Sequence, residues 1–136
     1  MPFEWTEALS MGDDSIDRQH QSLFAQTNKL LEVITGEESR PEKVAEVISF
    51  LDEYIKEHFA FEEDYLRMYG YPALEEHQAL HRDFIRQYAE LKAKIDPDRP
   101  MPDTVIDLET FLGQWLVHHI GEEDRKYYHF IRKQQA

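Results

Sequence analysis

The chain has 136 residues, enough for one domain of ordinary size, and no cysteine. Disulfides, thiolate metal sites, iron–sulfur clusters and cysteine nucleophiles are therefore excluded together. With 15 Lys and Arg against 28 Asp and Glu the net charge is −13, which repels phosphate backbones and anionic lipid and speaks against nucleic-acid and membrane partners.

Hydrophobic residues at 41 % and aromatics at 12 % suffice for a packed core, so the chain is expected to fold despite its charge. Its first residues, Met-Pro-Phe-Glu-Trp-Thr-Glu, lack the basic start and apolar run of a secretory signal. The apolar stretches fall far short of the roughly 20 residues that span a bilayer. The expected location is the cytoplasm, with a module excised from a larger sensor as the alternative.

Gly and Pro fall in three clumps, Gly36 to Pro41, Gly70 to Pro72 and Asp96 to Pro102, which divide the sequence into four long stretches. Residues 1–14 read as a non-helical arm. A helix over about 15–35 follows from Ile16, His20, Leu23, Thr27, Leu30 or Leu31, and Ile34, spaced by threes and fours. A second, over about 41–69, carries Val44, Val47 or Ile48, Leu51, Ile55, His58, Glu62 and Leu66. The third, about 73–95, is the most regular, with Leu74, His77, His81, Phe84, Tyr88, Leu91 and Ile95. The fourth, about 103–131, reads Val105, Leu108, Leu112, Trp115, His119, then Tyr127 or Tyr128 with Ile131. Ser39 before Pro41 and Asp103 after Pro102 supply start signals. Nothing alternates like a strand. Four helices joined by short loops must run as antiparallel neighbours, so the expected fold is all-α: one domain over 1–136, an up-down-up-down four-helix bundle, read as a monomer.

Bundle seams should be apolar. Here every seam carries a polar group in its middle: His20; His58 and Glu62; His77 and His81; His119. One buried unpaired polar group costs about 1–3 kcal/mol, so six together would rival the ~5–15 kcal/mol stability of a domain. A metal centre compensates them, because neutral imidazoles and carboxylates become its ligands. Residues four apart project from one helix face, so His58 and Glu62 aim at one point, as do His77 and His81. The HxxxH pair alone is weak. Early and late positions alternate along an antiparallel bundle, however, and this puts all four contributions at one height near one end.

These strings resemble the hemerythrin family, specifically its single-domain bacterial members, over essentially the whole chain: FEW near the start, SIDRQH, HFAFEE, HQALH and WLVHHIGEED. The resemblance implies a non-haem di-iron centre. His77, His81 and His119 would hold one iron, His20 and His58 the other, with Glu62, Asp124 and an oxo or hydroxo group bridging the pair. Six ligands then close the first iron, while the second keeps one position open for O2 or another small diatomic or anion. By the same match Trp115, Leu116 and Ile120 would line the O2 pocket. The implied function is reversible O2 binding for storage, delivery to an unidentified protein recipient, scavenging or sensing, and not catalysis. The alternative is a di-iron enzyme acting on peroxide or nitric oxide. A structural zinc or manganese bundle fits less well, since seven converging side chains suit a bridged octahedral pair better than a closed tetrahedron.

Two local questions follow. His119 and Asp124 are five apart, about 140° around a regular helix, so both can reach one centre only if a π-type turn forms near Gly121. His118 competes with His119 through the stripe Phe111–Trp115–His118, and only the family spacing to Asp124 selects His119. Other residues have plainer roles. His129 reads as surface, Trp5 as a pin for the arm, and Met11, Met68 and Met101 as packing or loop residues. Glu122 and Glu123 read as a solvated face, and Asp96 with Asp98 as a capped turn rather than a calcium loop.

Overall fold

The computed structural model describes residues 3–36 and 41–135. Helix α1 spans Asp14–Thr35, α2 Pro41–Met68, α3 Leu74–Ala93 and α4 Pro102–His118; a π-helical segment, His119–Asp124, carries α4 directly into α5, Arg125–Gln135. α1 packs on α2 and α4, and α3 packs on α2 and α4, so the four rods close an antiparallel bundle with no strand among the described residues. The helix-start signal at Ser39 lies outside the described residues.

The ends are fixed locally. Asp13 caps α1 by accepting from the Ile16 N–H at 3.0 Å. Pro102 opens α4, where its missing N–H costs nothing. At the close of α2, Gly70 takes φ +66°, and the Tyr71 N–H returns to the Leu66 carbonyl at 3.0 Å. That six-to-one bond needs a left-handed residue between helix and bond donor, which glycine supplies without strain. The reversal aims α3 back along α2, so that His77 and His81 come down opposite His58 and Glu62.

One detail departs from the expected non-helical arm: Glu7–Leu9 form a single turn of 3-10 helix. The Leu9 N–H bonds the Thr6 carbonyl at 2.8 Å, which lets the arm bend and press Leu9 towards the bundle. The arm is pinned on both sides of this turn. Asn28 in α1 accepts from the Phe3 N–H and donates to the Phe3 carbonyl, and Arg125 donates to the Ser10 carbonyl at 3.0 Å. Trp5, like Leu9, packs against the core. The Phe3 ring fills the space above Gly113 where a β-carbon would otherwise stand. Gly113→Ala should therefore displace Phe3 and cost about 1–3 kcal/mol in a denaturant titration. In Phe3→Ala/Gly113→Ala the glycine substitution should become nearly neutral, and full additivity would show that the ring is not what the glycine accommodates.

The apolar interior is divided. A large cluster runs from Leu23 and Phe24 through Leu51, Ile55, Phe84, Leu108 and Leu112 to Leu116 and Ile120. A smaller one gathers Met11, Ile16, Leu66, Tyr71, Tyr127 and Ile131 at the opposite end. Between them lies a layer of buried polar side chains.

Candidate metal centre

That layer contains His20, His58, Glu62, His77, His81, His119 and Asp124, each no more than 3 % exposed. All seven side chains converge. α1 supplies His20, α2 His58 and Glu62, α3 His77 and His81, and the π segment His119 and Asp124. The π segment answers the spacing problem: widening the turn brings residues five apart above one another, and His119 Nε2 lies 3.0 Å from Asp124 Oδ1. His118, one residue earlier, points to solvent near Glu122.

The donor atoms sort into two groups. Glu62 Oε1 faces His77, His81 and His119 at 2.7, 3.1 and 3.9 Å, whereas Glu62 Oε2 faces His20 and His58 at 3.6 and 3.5 Å. Asp124 divides the same way, with Oδ1 3.1 Å from His77 and 3.0 Å from His119, and Oδ2 3.4 Å from His20. In each of two sets, Glu62 with His77, His81 and His119, and Glu62 with His20 and His58, the ligand atoms lie within 4.8 Å of one another. Adjacent ligands each about 2.1 Å from one ion are themselves about 3 Å apart, so these separations suit coordination.

Orphaned atoms test the fit. Both ring nitrogens of His20, Nε2 of His81 and His119, and both oxygens of Asp124 are buried without a hydrogen-bond partner. Natural interiors pair nearly all such atoms. Trp5 Nε1 and Glu109 Oε1 are the other orphans among the described residues, but the six gathered in this layer are all metal-ligating types and fit a cation pair. Two tautomers are also set for ligation. His58 Nδ1 donates to Gln19 Oε1 at 2.7 Å and His81 Nδ1 donates to Glu63 Oε2 at 2.8 Å, which turns both Nε2 lone pairs inward.

Burial lowers the His58 imidazole to about 3, so it is neutral. Burial also pushes against charge at His77 and His119, but Asp124 and Glu62 override it and raise them to about 10 and about 9. Burial raises and the facing carboxylate repels Asp124, yet His119 and His77 hold it at about 2. Glu62 is likewise held well below its usual value, burial being outweighed by imidazole donors led by His119. Glu62 and Asp124 thus favour the charged forms of His77 and His119.

Aromatic rings seal the layer. Phe59 stacks on His81 with centroids 3.8 Å apart, and Trp115 stacks on His119 at 4.1 Å. Above them is a cavity of about 10 Å³ lined by Leu23, Thr27, Leu51, Ile55, Phe59, Phe84, Leu112, Trp115 and Leu116. Of the three expected pocket residues, Trp115 and Leu116 border it. Ile120 is buried in the large apolar cluster but does not border it. Two larger clefts, of about 260 and 190 Å³, open between α2 and α3 around Asp52 and Lys92, and no site residue lines them.

Three supporting residues were not singled out from the sequence, Gln19, Glu63 and Phe59, and Tyr127, expected only as a seam alternative to Tyr128, donates its hydroxyl to Glu62 Oε2 at 3.3 Å. Gln19 and Glu63 each adjoin a seam residue, and that adjacency was the available signal. His129 is exposed, and Asp96 Oδ1 accepts from the Asp98 N–H in a capped turn.

Comparison with known proteins agrees with this geometry. A family profile described as Hemerythrin HHE cation binding domain matches residues 11–131. A protein named Bacteriohemerythrin from Clostridium acetobutylicum is 33 % identical over 127 residues, covering 92 % of this chain and 98 % of that relative. One of the same name from Stenotrophomonas maltophilia is 33 % identical, covering 90 % of this chain and 77 % of the relative. A Hemerythrin-like protein from Naegleria gruberi is 29 % identical, covering 93 % and 91 %. With an antiparallel helical bundle, His and Glu groups placed to hold metal, and sequence similarity over nearly its full length, the chain belongs to the hemerythrin family.

Proposed function

We propose that the chain binds O2 reversibly at a non-haem di-iron centre held by His77, His81 and His119 on one side, His20 and His58 on the other, and Glu62 and Asp124 between. The observation that carries this reading is the division of both carboxylates: each directs one oxygen at each imidazole group, and the groups are unequal, three against two. An iron pair, when bound, supplies one unfilled coordination position and the electrons that O2 takes up and returns.

The protein's own residues do the rest. Gln19 and Glu63 hold His58 and His81 in the tautomer that ligates. The Tyr127 hydroxyl steadies Glu62 Oε2. Phe59, Trp115 and Leu116 keep the approach to the imidazoles apolar, which favours a small neutral ligand over bulk water. Among the described residues no helix is long and apolar enough to cross a membrane. O2, other small diatomics and anions such as azide are the expected ligands.

The test combines iron analysis with optical spectra of the reduced, aerated and azide-treated protein. Two irons per chain and a charge-transfer band that appears with air and vanishes on deoxygenation, over repeated cycles, are expected. Immediate oxidation without a stable coloured adduct would rule out carriage. Sustained turnover of peroxide or nitric oxide would replace it with the enzymatic alternative.

A further inference from the structure

The two imidazoles with side-chain acceptors on their outer nitrogens do not have the same kind of acceptor. His58, in the two-imidazole group, donates to the neutral amide of Gln19 at 2.7 Å. His81, in the three-imidazole group, donates to the carboxylate of Glu63 at 2.8 Å, and Glu63 is itself steadied by Gln78 Nε2 at 3.1 Å. The bracing runs around the bundle: Gln19 on α1 reaches across to α2, Glu63 on α2 reaches across to α3, and Gln78 on α3 reaches back. His20 Nδ1 has no hydrogen-bond partner among the described residues.

Amide and carboxylate acceptors differ in what they do to an imidazole. A carboxylate forms a charge-assisted bond, draws the Nδ1 proton outward and makes the inner nitrogen a stronger donor. An amide fixes orientation while adding little electron density. The negative charge therefore stands behind the group that already has more imidazoles.

Resting on the di-iron reading above, we propose that Glu63 is a positioning residue that makes the two halves of the centre unequal in affinity and in redox preference. The three-imidazole half fills first, binds its metal more tightly and favours the higher oxidation state. The Gln19-braced half fills second and gives up its metal first. Filling in this order leaves the half with fewer protein donors to be completed last.

The exchange of two side chains separates this from simple loosening. Metal-free full-length chain would be titrated with Co2+, whose optical bands report each step. Reduction potentials would be measured on the iron-loaded protein. The wild-type chain should take up two Co2+ in two resolved steps. Glu63→Gln should weaken the first step roughly 10–100-fold and raise the potential, with the second step little changed. Gln19→Glu should strengthen the second step and lower the potential. Gln19→Glu/Glu63→Gln keeps the net charge and should bring the steps together. Glu63 is 24 % exposed on its side chain and its replacement is isosteric, so the variant is expected to fold. If Glu63→Gln weakens both steps equally, or neither, or if the two single variants shift the potential in the same direction, the inference is overturned while two-metal binding by the wild type still supports the di-iron centre. Uptake of fewer than two Co2+ by the wild-type chain would overturn both.

Discussion

Glu62→Ala is expected to take the chain from two irons to at most one and to abolish any O2-dependent absorption. Glu62 is fully buried, and it is the one side chain whose two oxygens face all five imidazoles of the centre. Without it, Asp124 alone spans the two groups, and its contacts reach His77, His119 and His20 but not His58 or His81. The substitution also leaves the Tyr127 hydroxyl, 1 % exposed as a residue, without its acceptor. Stability of the metal-free protein should drop by about 3–5 kcal/mol, the usual cost of removing one partner from a buried charged set. Glu62→Gln is the companion variant: it keeps the volume and one oxygen, so it should fold better while still losing the second iron. Iron content by elemental analysis, checked by native mass spectrometry, reads the result. Two irons retained in Glu62→Gln with an unchanged spectrum would remove Glu62 from the bridging position.

The second large effect is pH dependence, and it differs in sign between the two sides of neutrality. In the metal-free chain His77 and His119 titrate near 10 and 9 rather than 6.5, held up by Asp124 and Glu62 against the opposing effect of burial. A raised pKa means their contribution is complete below pH 6.5 and is lost as pH rises through 9 to 10. Asp124, held at about 2 against its usual 3.8, contributes above about pH 4 and stops doing so as pH falls through 2. His58, which burial keeps neutral down to about 3, opposes folding increasingly as pH drops below 6.5. Metal-free stability should therefore peak near pH 6.5, with a melting temperature roughly 5–10 °C lower at pH 10. Metal uptake follows the same protons. Ligation needs neutral imidazoles, so loading at pH 7 should release the protons of His77 and His119, measurable by calorimetry in buffers of different ionisation enthalpy. Below pH 9 the affinity of the three-imidazole group should fall by about a hundredfold per pH unit. Iron-loaded protein should lack the alkaline loss of stability, because the ions have replaced those protons. A metal-free melting curve flat from pH 6.5 to 10 would mean the imidazoliums are not there.

The helical seams were largely legible before any coordinates. Ile16, Leu23, Thr27, Leu30 and Ile34 all turn inward, and the same holds for Val44 through Leu66 on α2 and for His77 through Tyr88 on α3. Where spacing left a choice, packing made it: Leu30 is buried rather than Leu31, Tyr127 rather than Tyr128, and both Val47 and Ile48 are buried. Phe59 lies off the stripe and was missed. A bundle helix with two neighbours buries a face wider than a single seam, and His58 and Phe59 both fall within it.

Sequence alone determined the helical segments and the six seam residues from His20 to His119. Hydrophobic periodicity is a local property, and a polar residue interrupting it stands out wherever it occurs. Tertiary structure alone decided which oxygen faces which imidazole and which acceptors stand behind His58 and His81, whereas the five-residue spacing of His119 and Asp124 already called for the π turn near Gly121. Those depend on contacts between helices far apart in the chain, such as Gln19 with His58, 39 residues away. A repeat of threes and fours says which side of a rod faces inward, but the meeting of rods decides what each side chain finds there.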